Sequence, residues 1–274
     1  MVQNGVMNWK TGGMAVGGPS ASQLAFAAMM IVLGILGLIK GDFTVVWAPV
    51  PKGVPAREAL VYLCALVSLA SGIGLLWRRA AFAAGLLLAT LVVWFLLWRI
   101  TPLFHVSIIE STWSCGETMV MAGAAWVLFA RFATNWNRSP LSFITGDRGV
   151  RIARALYGLG LIPFGYAHFA NVKGTADLVP SWLPWHVGWA YFTGAAFIVA
   201  GLAILIGVFA RLAAALSALQ MGLFSLLVWI PIVLAGHLNA FQWGEFVSTW
   251  VLTAAGWVVA DSYRGTPWFA LRQR

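Results

Sequence analysis

Six ionisable residues stand where long apolar runs of this chain end or begin: Lys40, His105 and Glu117 in the first half, His168, His237 and Glu245 in the second. Ionisable side chains near apolar spans are costly in hydrocarbon and usually face a bundle interior or a wet cavity. Gly116 and Gly244 precede the two glutamates and leave room for a helix or ligand to approach the backbone. An imidazole titrates near neutrality, and together with a carboxyl it can relay the protons that accompany reduction or oxidation of a quinone. His168, His237, Glu245, Glu117 and His105 are therefore the candidate catalytic residues. The competing reading is that each sits in the headgroup layer or caps a helix by hydrogen bonding.

The stretch Gly165 to Tyr191 is a polar interruption between two apolar runs and holds His168 and His186 beside a loop rich in tryptophan and proline. Irregular backbone cannot face lipid with its polar groups unpaired, so this stretch is expected to cap the bundle or line a cavity. Trp182 and Trp185, stiffened by Pro180 and Pro184, either form a flat apolar wall over a ring-shaped ligand or belong with Trp47 and Trp189 to an interfacial aromatic belt. Trp182, Trp185, His186 and Lys40 are the candidate cofactor-binding residues. His168, His237 and Glu245 are also metal-ligand types, but no H-x-x-x-H or H-E-x-x-H spacing occurs, so no metal ligands are assigned and a haem between helices is the lesser alternative to quinone. Cys64 and Cys115 lie outside any C-x-x-C motif and read as a redox pair or as buried structural thiols.

The elements that must position these residues are membrane helices. With 61% hydrophobic and 9% charged residues, the chain has too few ionisable groups to cover a soluble globule. Apolar runs of about 20 residues, enough to span the hydrocarbon core, recur near 22–39, 59–77, 80–100, 112–132, 152–170, 187–208, 212–235 and 245–261. Of the 17 basic residues, Lys10, Arg78, Arg79, Arg131, Arg138, Arg148, Arg151, Arg154, Arg211, Arg264, Arg272 and Arg274 fall on one side. The positive-inside rule makes that side cytoplasmic, with both termini on it. The net charge of +9 is explained by these loops without a nucleic-acid partner.

The same features recur in the same order in the two halves. Val46–Pro51 (VWAPVP) parallels Val179–Pro184 (VPSWLP), the run ending at His105 parallels the one ending at His237, and Gly116-Glu117 parallels Gly244-Glu245. The expected fold is an all-α polytopic membrane protein with about eight transmembrane helices arranged as two parallel four-helix repeats. Its divisions are a tail 1–21, a first repeat 22–133, a cytoplasmic linker 134–150, a second repeat 151–262 and a cytoplasmic tail 263–274.

The second half resembles the DoxX-like membrane proteins, a family that includes the DoxD subunit of thiosulfate:quinone oxidoreductase. The resemblance rests on ARALYGLGLIPFGYAHFANVKG from Ala153 and on Leu178–Ala214, with Arg154, Gly158, Gly165, His168, Pro180, Trp182, Pro184, Gly194, Gly201 and Arg211 at the family's positions. The first half looks like a diverged copy, with Lys40 where His168 stands. The resemblance implies a four-helix membrane unit linked to redox or sulfur metabolism. The expected function is a membrane subunit in quinone-linked electron transfer with an outer-side pocket, surrounded by membrane lipids and fed by an electron-donating partner subunit. The alternative is a non-enzymatic protein that binds a lipid or small molecule, or assists membrane-protein assembly.

Overall fold

The computed structural model describes residues 18–77, 80–100, 108–133, 142–236 and 239–271. Its long helices are α1 (Ala21–Lys40), α2 (Arg57–Leu75), α3 (Ala80–Ile100), α4 (Ile108–Phe132), α5 (Gly146–Ala170), α7 (His186–Ile206), α8 (Ala210–Leu234) and α9 (Ala240–Ser262), with a short α6 (Val172–Asp177) between α5 and α7. Each long helix coincides to within a few residues with an apolar run in the sequence, and no strand occurs among the described residues. Helices α1, α2, α3, α7 and α8 are long and apolar enough to cross a membrane. The chain is an all-α, multi-pass membrane protein.

Helices α4, α5 and α9 are just as long, at 25, 25 and 23 residues, but more polar. Their position accounts for this. α4 packs against α3, α5 and α9, and α9 packs against α1, α4 and α8, so both are wrapped by other helices. The remaining neighbours are α1 with α2, α2 with α3, α5 with α7, and α7 with α8. The last helix of each half thus lies on the first helix of the other half, and α4 and α9 meet between the halves.

Local chemistry sets the ends of these helices. Ser20 accepts a hydrogen bond from the Gln23 backbone N–H at the start of α1, and Gly41 ends that helix with a left-handed φ of 61°. Asn239 and Gln242 form a reciprocal capping box at the start of α9. At the opposite end of α9, the Asp261 carboxylate accepts from Ser22 Oγ of α1 at 2.6 Å and from Arg264 Nε at 2.8 Å. Arg131 of α4 donates to the Asp261 carbonyl, and Arg154 of α5 donates to the Ser262 hydroxyl and carbonyl. Four helices, α1, α4, α5 and α9, are tied at this point.

Lipid tails give helices no hydrophobic reason to associate, so close backbone contact must supply the attraction. A Cβ on Gly116 of α4 would stand 2.6 Å from a Phe164 ring carbon and 3.0 Å from the Gly160 carbonyl oxygen of α5. Where α5 meets α7, a Cβ on Gly165 would stand 2.5 Å from the Gly194 carbonyl oxygen. Replacing Gly116 by leucine is therefore expected to cost roughly 1–3 kcal/mol through overpacking. Thermal unfolding of the reconstituted protein checks this, and an unchanged midpoint would contradict the close contact.

In the loop after α1, Asp42 pairs with Arg57 at 2.8 Å and accepts from the Phe43 N–H. Partial burial raises the Asp42 pKa, but the Phe43 N–H and the Arg57 guanidinium outweigh it and hold the carboxyl below its usual value. The stabilisation from a depressed carboxyl is present above its unfolded pKa and disappears as pH falls through the folded one. Both side chains are partly exposed, so Asp42→Asn is expected to cost less than about 1 kcal/mol at neutral pH. The difference from wild type should vanish in acid, which melting curves across pH can measure.

Candidate functional site

Helix α3 ends in a π-helical turn, Leu96–Ile100, and α8 contains a corresponding one, Ser225–Trp229. Such turns break the regular hydrogen-bond ladder and frequently mark functional sites. The first carries Arg99, which is only 1% exposed. A buried guanidinium must have its donors satisfied, and this one donates to Thr118 Oγ1 at 3.1 Å, the Ala48 carbonyl at 2.8 Å, the Val46 carbonyl at 3.1 Å and the Pro49 carbonyl at 3.4 Å. The loop containing Val46–Pro49 is thereby drawn into the bundle.

Trp47 follows that loop inward, contrary to its expected place in an interfacial belt. It is 1% exposed, its indole N–H donates to Ser68 Oγ at 3.1 Å, and its carbonyl accepts from the Trp94 indole at 3.0 Å. The Arg99 clamp and these two indole hydrogen bonds explain why it leaves the interface. Trp182 and Trp185 in the corresponding loop of the second half are 68% and 84% exposed, which suits the belt reading for them.

Next to Thr118 on α4 stands Glu117, also buried. Its carboxylate is hydrogen-bonded by the Trp113 side chain and lies within electrostatic reach of both Arg99 and Glu245. No direct ion pair joins Arg99 and Glu117 among the described residues. Glu245 is half-buried on α9 and follows Gly244, where a Cβ would lie 2.7 Å from Val45 in the loop held by Arg99.

His168, near the end of α5, is 2% exposed. Its Nδ1 lies 2.8 Å from the Phe164 carbonyl, which can only accept, so Nδ1 donates and Nε2 is left as the nitrogen that gains or loses a proton. Trp113 stacks on the imidazole at 5.3 Å with a 15° interplanar angle, and Phe224 stacks at 6.0 Å and 26°. Phe197 lies tilted at 5.5 Å. Gly194 makes room for this ring, since a Cβ there would meet His168 Cβ at 2.9 Å.

Glu117 thus lies within electrostatic reach of Glu245 from the other half, and Trp113 lies against both Glu117 and His168. Sequence reasoning missed Trp113 and Arg99 as site residues. Trp113 stands four residues before Glu117, the spacing that places two side chains on one helix face. Arg99 stands in the sequence as a lone charge at the end of an apolar run, where it resembles a loop charge. Lys40 is exposed and donates to the Phe43 carbonyl at 3.1 Å. His186 opens α7 and is half-buried. His105 and His237 lie outside the described residues.

A crevice of about 80 Å³ between α3, α4 and α5 reaches Thr118, beside Glu117, and is otherwise apolar, with Leu96, Met119 and Leu156 in its walls. Cys64 and Cys115 are buried free thiols near the Arg99 guanidinium, and Cys115 Sγ lies 3.7 Å from the Arg99 carbonyl. Among the described residues no group of three or more His, Cys, Asp or Glu side chains is placed to hold a metal ion.

Removing the Arg99 guanidinium leaves three loop carbonyls and the Thr118 hydroxyl without their donor and takes away the positive charge within electrostatic reach of Glu117. Arg99→Met is expected to destabilise the protein by about 3–5 kcal/mol. Combining it with Glu117→Gln should recover part of that loss if the two charges compensate one another. A purely additive double-mutant cycle, read from thermal or denaturant unfolding, would remove the coupling.

No curated protein and no solved structure matches the chain. Residues 149–229 match the family model described as DoxX, a segment that runs from the first turn of α5 through α6 and α7 to the π turn of α8 and includes His168. This segment, and with it the second half of the chain, is similar to the DoxX family of membrane proteins.

Proposed function

We propose that this protein is a DoxX-family membrane subunit of quinone-linked electron transfer in a bacterial or archaeal cytoplasmic membrane. Reduction of a quinone consumes two electrons and two protons. The reading is carried by the proximity of Glu117 to Glu245 and by Trp113, which lies between Glu117 and His168, an arrangement that supplies groups able to exchange protons within a helix bundle. Arg99 supplies fixed positive charge beside them, suited to a quinone oxygen as it becomes anionic. The ring would enter from the outer side, and the small crevice lined by Thr118 and Met119, which follow Glu117 in α4, is a candidate part of its path. No flavin, iron–sulfur or c-type haem motif occurs in the sequence, so the electrons would come from a partner subunit.

Several further features accompany this reading. α4, α5 and α9 would also span, giving eight crossings, and the excess of lysine and arginine in alternate loops favours cytoplasmic termini. The units 22–133 and 151–262, joined by 134–150, would be parallel repeats. Their matching neighbour order and matching π turns support duplication.

The test is reduction of the quinone pool in membranes containing the wild-type or variant chain with its native partners. Glu117→Gln and Glu245→Gln keep size and hydrogen-bonding capacity but remove the exchangeable carboxyl. Each is expected to slow quinone reduction by about a hundredfold while leaving the protein folded. Undiminished turnover in both variants would remove the proposed function.

A further inference from the structure

A groove of about 370 Å³ runs between α8 and α9, on a different part of the molecule from the Glu117 cluster. Leu219, Leu223, Leu226 and Trp257 line its length and are exposed, as lipid-facing residues are. Arg211, Arg264 and Trp268 stand at the end where α8 begins and α9 finishes. Arg211 lies over the Trp268 ring at 4.0 Å and donates through Nη1 to the Thr266 carbonyl at 2.6 Å. Arg264 uses Nε toward Asp261. Each guanidinium has five donors, so each retains donors beyond these contacts.

We propose that this groove binds one anionic diacyl phospholipid, with its phosphate against Arg211 and Arg264 and an acyl chain along Leu219, Leu223 and Leu226. Charge complementarity identifies the occupant. Asp261 is the acid in the lining, and its carboxylate is already engaged by Ser22 at 2.6 Å and Arg264 at 2.8 Å, with Arg131 beside it. The basic end therefore attracts an anion, and the apolar length suits a hydrocarbon chain. Basic pockets between transmembrane helices recognise anionic headgroups in this way. The dimensions agree, because the α8 segment from Arg211 to Leu226 rises about 22 Å, and one leaflet contributes about 15 Å of hydrocarbon. A headgroup at Arg211 and Trp268, residue types favoured at the interface, would leave its chain running toward the bilayer centre.

The site is independent of the quinone reading and is tested without it. The full chain is reconstituted in nanodiscs of mixed phosphatidylglycerol and phosphatidylcholine, released, and its retained lipid counted by native mass spectrometry. Wild type is expected to retain one phosphatidylglycerol in preference to phosphatidylcholine, and excess inorganic phosphate should not displace it. Arg211→Gln and Arg264→Gln should each lower retention about fivefold. Ala215→Phe fills the groove while keeping both arginines, and should also expel the lipid without lowering the melting temperature. This variant decides the matter if the arginine variants fold poorly. Equal retention of the two lipids, or unchanged retention in Ala215→Phe, would overturn the proposal.

Discussion

The close approach of α4 to α5 is the contact on which the interior depends. Where Gly116 meets Gly160 and Phe164, the backbones come nearer than any side chain would permit. That approach lays Trp113 flat on His168 and lets the same indole side chain hydrogen-bond to Glu117. It also joins the DoxX segment, whose first helix is α5, to the last helix of the first half. Because lipid cannot drive helices together as water does, packing of this closeness is what holds such a bundle.

A second constraint follows from placing charge inside the bundle. The Arg99 guanidinium is held by three loop carbonyls and a threonine hydroxyl, which compensate for its removal from water. The same bonds pull Trp47 and its loop inward, so the corresponding loops differ between the halves. One side buries its tryptophan, while the other exposes Trp182 and Trp185. A pair of loops that look alike in sequence thus perform different work: one anchors a buried cation, the other remains available to the interface.

The long helices were readable from sequence because a span needs a long apolar run whatever its neighbours are, and each of them lies where such a run lies, whereas the short α6 falls between two runs. Part of the site was readable for a related reason. His168, Glu117 and Glu245 are rare ionisable residues in an apolar chain, and such residues are retained only where something compensates them. Trp113 and Arg99 were harder to find, since 16 tryptophans make any one of them unremarkable and an arginine near a helix end resembles a loop charge. Sequence also suggested one constellation within each half, whereas Glu117 and Glu245 come from opposite halves and lie near each other.

By itself, then, the sequence determined the helical membrane class, the long helices and the family resemblance of the second half, all of which rest on local hydropathy and short-range patterns. Only the tertiary structure decided which helices are neighbours, which loop enters the bundle and which ionisable groups share an environment. Those outcomes depend on how glycine contacts align helices distant in the chain and on where a buried charge finds its hydrogen bonds. Neither is encoded in spacing along a single helix.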